Sequence, residues 1–329
     1  MGEASLSLSL QAHMPRLTLA RIGEQGIDNA RANHPGGKSI WELVGLGNGD
    51  KAIVVAAGPS LHRMDVASQI ADFDGAVIAT DSALRYCLRN QIIPDLVVTL
   101  DPHAKRIVRW FGDPDLVPND IEADDYFSRQ DMDPVFRNEV RANEDVLRLM
   151  DLYGKGIKLA VSTTSHPSVV KRANEIGMEL YWWNPMLDDP DKPGLTQALM
   201  DLNGLPCVNA GGNVGSACWM FADAVLVKKK VALTGMDFGY YDDTPYRATQ
   251  YYRELVDIVG EEEIGTAFQR IFNPFVGQWF YTDPAYLWYR DCFLEMVKDA
   301  DCETFNCTGG GILFGDRIRV SSIEDFIGD

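Results

Sequence analysis

KAIVVAAGPSLHRMDVASQIADFDGAVIATDSALRYCLRNQIIPDLVVTL, residues 51 to 100, repeats one pattern and decides the fold class. Three continuous apolar runs of strand length, KAIVVAA (51–57), GAVIAT (75–80) and DLVVTL (95–100), are separated by stretches that suit helices. GPSL breaks the first run ahead of the amphipathic LHRMDVASQIADF, and in DSALRYCLRNQI the residues Leu84, Cys87 and Leu88 recur at helical spacing. A strand with one wet face alternates apolar and polar residues, whereas an uninterrupted apolar strand is covered on both faces. The segment therefore reads as a βαβαβ unit, and the fold class as α/β: a Rossmann-like parallel sheet with helices on both faces.

The same reading extends outward. KLAVST (158–163) and ELYWWN (179–184) are two more strands around the helix HPSVVKRANEIG, and VALTG (231–235) is another buried strand. NVGSACWMFADAVL (213–226) puts Val214, Ala217, Cys218, Phe221 and Val225 on one helical face, and a helix from Pro284 to Lys298 leads to a last short strand near CETFN. Residues 1–50 are expected to form a helical arm packed on a single domain, 51–329, which carries an acidic, weakly periodic insertion near 111–151. Within it Asp113, Asp115, Asp120, Glu122, Asp124 and Asp125 lack the spacing of a calcium loop and read as a solvated, mobile flap.

Composition narrows the function. Over 329 residues, 46% are hydrophobic and 24% charged, as in an ordinary globular protein, but 30 Lys and Arg face 48 Asp and Glu, for a net charge of −18. That balance argues against nucleic acid or an anionic membrane as partner, so a bound phosphate must be held by local groups. There is no apolar run long enough to span a membrane. The start, MGEASLSLSLQAHMP, lacks the layout of a signal peptide, and Leu6 stands where myristoylation needs Ser or Thr. Six cysteines without a CxxC pair read as reduced thiols of a cytoplasmic protein, and Cys302 and Cys307 have no companion ligands for zinc.

Ligands of open α/β sheets bind beyond the carboxyl ends of the strands, and unusual residues gather there. Gly58, Pro59 and Ser60 follow the first strand, where Ser60 can cap a helix whose free N–H groups suit a phosphate. Asp81 and Ser82 follow the second, Asp101, Pro102 and His103 the third, and Asp237 the strand VALTG, with Gly211, Gly212 and Asn213 opening the helix before it. Each alone is equally a plain turn or cap; convergence on one edge raises the site hypothesis. His103 reads as a general base, a phosphate donor or a surface-turn residue, and His166 as a helix cap or an anion contact. No G-x-G-x-x-G follows a strand, and the relaxed phosphate-loop match ANHPGGKS (32–39) lacks a buried strand before it.

Taken in order, GPSL (58–61), ATDSAL (79–84), PDLVVTLDP (94–102), GGNVGSA (211–217), TGMDF (234–238) and NCTGGG (306–311) resemble the motility accessory factor family, a group of flagellin glycosyltransferases whose central domain is related to archaeal 6-hydroxymethylpterin pyrophosphokinase. The chain also looks like bacterial sialyltransferases that use CMP-activated sugars. The resemblance implies a sialyltransferase-like fold and a nucleotide or nucleotide-sugar donor, with a nonulosonic acid passed to a protein or glycan acceptor. It implies a pocket lined by Gly58, Pro59, Ser60, Gly211, Gly212, Asn213 and Asp237; Asp81, Ser82, Asn306 and Thr308, which lie in the matched motifs, are further binding candidates, and the acidic loop with Tyr240, Tyr241 and Tyr281 is expected to close over the donor. Those sialyltransferases place a histidine base shortly before a Thr-Asp pair; here the pair is Thr282 and Asp283, and the matching position is Gln278. Glutamine takes no proton at neutral pH, which leaves Asp101, His103 or Asp283 for that role. Two alternatives stay open: an ATP-dependent pyrophosphokinase assisted by Mg²⁺ and acting on a pterin-like substrate, and a nucleotide-binding module without catalysis.

Overall fold

The computed structural model describes residues 3–102, 105–123, 129 and 138–329. Its centre is a ten-stranded parallel sheet: β1 (Lys38–Ser39), β2 (Lys51–Val55), β3 (Ala76–Thr80), β4 (Leu96–Thr99), β5 (Lys158–Ser162), β6 (Glu179–Pro185), β7 (Cys207–Val208), β8 (Lys230–Thr234), β12 (Glu303–Asn306) and β13 (Ile318–Val320). The order across the sheet is β1-β6-β5-β4-β3-β2-β8-β12-β13, with β7 beside β6. The six strands expected from the apolar runs and the short one expected near CETFN are all present, within a residue or two of their expected ends. Along β2 the side chains alternate between two cores, Ala52 and Val54 in one and Ile53 and Val55 in the other, so the apolar run is continuous because both faces are covered. The helix Val214–Met220 and the π-turn Phe221–Val225 that continues it bury Ala217, Cys218, Phe221 and Val225 on the first face, the stripe anticipated from spacing.

Strand order reverses at β2. From β2 the chain proceeds through β3, β4, β5 and β6 to one side, then returns to lay β8 against the other flank of β2, in register from Lys51 opposite Lys230 to Val55 opposite Thr234. By the general rule for open α/β sheets, such a reversal makes the region beyond the carboxyl ends of β2 and β8 the candidate ligand crevice.

Three features depart from the sequence reading. The stretch 1–50 is helical over Glu3–Asn33, but Lys38 and Ser39 then join the sheet as a parallel edge strand on β6. ANHPGGKS links that helix to this strand, and Lys38 pairs with Glu179. The helix itself lies over the carboxyl edge: the Asn29 amide donates to the carbonyls of Pro102 and Thr164, and that of Asn33 to those of Thr163 and Ser165.

The acidic insertion is not a free flap in its described part. The helix Glu139–Leu149 buries Ala142, Val146 and Leu149 in one core with Trp110 and Phe111, and Asp113 is buried, its N–H donating to Asn143 Oδ1 at 2.8 Å. Asp124 and Asp125 lie outside the described residues. The third departure is an antiparallel sheet of three strands, β9 (Tyr240–Tyr241), β10 (Gln269–Asn273) and β11 (Gln278–Thr282), in a region without long apolar runs. At the amino-terminal edge the buried Lys228 ammonium donates to the carbonyls of Gly47 and Gly49, both at 2.9 Å, and ties the loop before β2 to the start of β8.

Candidate active site

The floor of the crevice is a contact between the turn after β2 and the turn after β8. Ser60 Oγ donates to Asp237 Oδ2 at 2.7 Å, and Ser60 N–H lies 3.2 and 3.3 Å from the two carboxylate oxygens. Both residues are buried. Gly58 has no room for a side chain, because a Cβ there would sit 2.2 Å from Asp237 Oδ2 and 2.3 Å from the Gly235 carbonyl oxygen. The loop after β12 wraps the other side: Ile312 N–H donates to the Asp237 carbonyl at 2.8 Å, and a Cβ on Gly311 would meet that carbonyl at 2.3 Å. Burial pushes the Asp237 carboxyl up to about 7, against the Ser60 hydrogen bonds and the Arg63 guanidinium, which favour the charged form.

This changes the reading of Ser60. Its N–H and hydroxyl do not wait for a phosphate; they hold an internal carboxylate in the place an anion would take. Asp237 is followed by Phe238 at φ +49°, a left-handed conformation that costs an L-residue roughly 1–3 kcal/mol. Thr282 Oγ1 caps the Phe238 carbonyl at 2.8 Å and so couples the small sheet to this turn.

Beside the first contact, the ends of β3 and β4 form a second polar cluster. Asp81 is buried, with Thr99 Oγ1 donating to Oδ2 and Ser82 N–H to Oδ1, both at 2.7 Å. Burial lifts its carboxyl to about 7, the Thr99 and Ser82 bonds oppose the shift, and the neighbouring charge of Asp101 adds to it. Asp101 is half-buried at the end of β4.

Asp283 caps the helix Pro284–Lys298. Its Oδ1 accepts from Tyr286 N–H at 2.8 Å and its Oδ2 from the Tyr240 hydroxyl at 3.0 Å, and burial raises its carboxyl to about 6. Tyr240 and Tyr281 are buried, the Tyr240 hydroxyl also accepting from Gln250 N–H and the Tyr281 hydroxyl donating to the Thr244 carbonyl. These two tyrosines pack and brace the site rather than reach over a donor. Burial above all, and then the negative charge of Asp283 and more weakly that of Asp237, raises the Tyr286 hydroxyl.

The remaining residues fall in three groups. Gly211 and Gly212, at φ +57° and +82°, turn the chain into the helix Val214–Met220, which Asn213 caps by accepting from Ser216 N–H at 2.9 Å. The first turn of that helix lies over Ala56 and Met236, the residues just past β2 and β8. Asn306 and Thr308 shape the glycine loop: Asn306 donates to the Leu313 carbonyl, and Thr308 Oγ1 accepts from Met236 N–H at 3.3 Å. Gln278 is exposed at the start of β11, at the far end of that strand from Asp283, and pairs in register with Asn273 of β10, whose amide donates to the Gly311 carbonyl of the glycine loop at 2.8 Å. His103 lies outside the described residues, and His166 caps the helix Pro167–Ile176.

Among the described residues no three His, Cys, Asp or Glu side chains gather as metal ligands, and no helix is long and apolar enough to cross a membrane. A cleft at the opposite, amino-terminal edge, lined by Asn48, Phe73, Asp74, Ile92 and Asp95, includes none of the residues singled out from sequence.

Residues missed in the sequence are Arg63 and Asp243. The Arg63 guanidinium carbon stands 3.9 Å from the centre of the Tyr241 ring, and its Nη2 donates to both oxygens of Asp243 at 2.7 and 2.9 Å. The available signal was a lone arginine two residues after GPSL in a strongly acidic chain.

Comparison with known proteins agrees with the architecture. Residues 25–110 match the family model for 6-hydroxymethylpterin diphosphokinase MptE-like proteins. The structure of MAf glycosyltransferase from Magnetospirillum magneticum AMB-1 aligns over 96% of this chain with a TM-score of 0.55 at 16% identity, a likeness of fold; the chain spans 39% of that protein's length. No curated protein matches the sequence. Both matches agree with the resemblance drawn from the motifs, the first over the initial βα units and the second as a likeness of fold.

Proposed function

We propose that this chain is a glycosyltransferase that passes a sugar, a nonulosonic acid, from a CMP-activated donor to an acceptor hydroxyl on a protein such as flagellin or on a glycan. The observation that carries this reading is the crevice at the strand-order reversal, where Ser60, Asp237 and the glycine loop 309–311 make a close-packed floor at the carboxyl ends of β2 and β8. The likeness of fold to a MAf glycosyltransferase supports it.

In this mechanism the acceptor oxygen attacks the anomeric carbon, the bond from that carbon to the CMP phosphate breaks, and the phosphate leaves with the electron pair. Asp101 takes the acceptor proton: it is a carboxylate half-buried just past the end of β4, whereas the amide of Gln278 takes no proton at neutral pH. The N–H groups of Gly212, Val214 and Gly215, at the turn and the first residues of the helix it opens, stabilise the leaving phosphate, since those of Gly211, Asn213 and Ser216 are engaged with Asn209, Ala210 and Asn213.

A second reading has its own support in the MptE-like match over residues 25–110: pyrophosphoryl transfer from ATP to a pterin-like heterocycle. Mg²⁺ held largely by substrate phosphates needs only one or two carboxylates, and Asp101 beside Asp81 suits that demand.

Thermal shift with CMP, CDP, UDP, GDP, ADP and ATP, each with and without Mg²⁺, separates the readings, since a ligand at a hundred times its dissociation constant adds about 2.7 kcal/mol. Selective stabilisation by CMP without metal supports glycosyl transfer; preference for ATP with Mg²⁺ supports the pyrophosphokinase. Nucleotide binding without turnover of either donor leaves a binding module.

A further inference from the structure

Resting on the reading of the crevice as a nucleotide site, we infer that Arg63 is its phosphate-binding residue and that Asp243 competes with the phosphate for the same guanidinium. Ser60 cannot serve that purpose while its N–H and hydroxyl hold Asp237. The chain carries a charge of −18, so an anion entering this edge needs a cation close at hand.

Arg63 meets the requirement by position and by geometry. It ends the 3-10 turn Pro59–His62, and its N–H donates to the Ser60 carbonyl at 2.9 Å, so its backbone is fixed to the floor of the crevice. The guanidinium carbon sits over the ring of Tyr241, 3.9 Å from its centre, and Tyr241 is buried with its hydroxyl beside Gly310 of the glycine loop. A guanidinium held over the ring presents its remaining N–H groups as a planar fork that suits phosphate oxygens. Its side chain is 38% exposed and that of Asp243 65%, so a ligand can reach the pair from solvent. An exposed ion pair is worth little and exchanges readily for a doubly charged phosphate.

The test is titration calorimetry of the full chain with CMP and with cytidine, which differ only in the phosphate. R63Q is expected to weaken CMP about tenfold or more and to leave cytidine unchanged, in line with the loss of a charge-assisted hydrogen bond. R63K, which keeps the charge but not the planar fork, should recover part of that loss, and D243N should tighten CMP and not cytidine. If wild-type protein binds CMP and R63Q weakens CMP and cytidine equally, or neither, the role of Arg63 is overturned while the site stands. If wild-type protein binds neither CMP nor ATP, the reading of the crevice falls and this inference with it.

Discussion

Ser60 gives both its backbone N–H and its hydroxyl to one carboxylate, Asp237, across 177 residues of chain. That contact fastens the two strands on either side of the order reversal at their carboxyl ends, and it takes place where no water competes. Removing the hydroxyl alone leaves a buried carboxyl with one fewer donor. Ser60→Ala is therefore expected to lower unfolding free energy by about 1–3 kcal/mol, read by urea denaturation. A variant as stable as wild type would mean that the bond contributes nothing net.

Gly58→Ala should be more damaging. The added methyl meets the Asp237 carboxylate and also the Gly235 carbonyl, which is backbone and cannot swing away. A loss of roughly 2 kcal/mol or more is expected, and adding Asp237→Ala should not restore stability, because the carbonyl stays in place. Rescue by the double variant would identify the side chain as the whole obstacle.

Asp81 carries a folded-state pKa of about 7 against 3.8 for the free side chain, chiefly through burial. Between those values the folded chain keeps a proton that the unfolded chain has released, so this group's contribution falls as pH rises from about 4 to 7 and stays low above. Asp81→Asn, which mimics the neutral acid, should gain on wild type by on the order of a few kcal/mol as pH goes from 5 to 8. Denaturation curves for both proteins at the two pH values give the comparison, and a constant difference would show that Asp81 does not titrate in this range.

Asp101→Asn should abolish sugar transfer while leaving circular dichroism and CMP affinity near wild type, whereas Gln278→Ala should leave turnover unchanged. Single-turnover assays on both variants check the pair. A fully active Asp101→Asn protein would reduce Asp101 to a turn residue.

The parallel sheet was legible in the sequence because burial on both faces writes itself as unbroken apolar runs, as in Ala76–Thr80, where every residue is buried. The small antiparallel sheet was not, since Gln269–Asn273 is short and alternates between half-buried and exposed residues, with only Asn273 buried, and so writes no apolar run. The described acidic insertion misled because its anchors, Trp110 and Phe111, sit at its very start, ahead of the acidic run, and its helix Glu139–Leu149 buries polar residues as well, Glu139 and Asn143. Of the candidate site, the turn residues after strands were visible as breaks in pattern, yet the use of Ser60 depends on a partner far along the chain. Arg63 and Asp243 pair only through folding, and nothing in their local sequence ties them.

The placement of β8 against β2 has a consequence in time. The first five strands of the large sheet's main run, β2 to β6, join neighbours along the chain, whereas β2 must wait for residues 230–234 to fill its other flank. Contacts of such separation form slowly. On the ribosome the first half can therefore assemble with one edge of β2 bare, and the crevice comes into being only as the second half docks. A fragment ending near residue 210 would keep the motif GPSL and have no site at all.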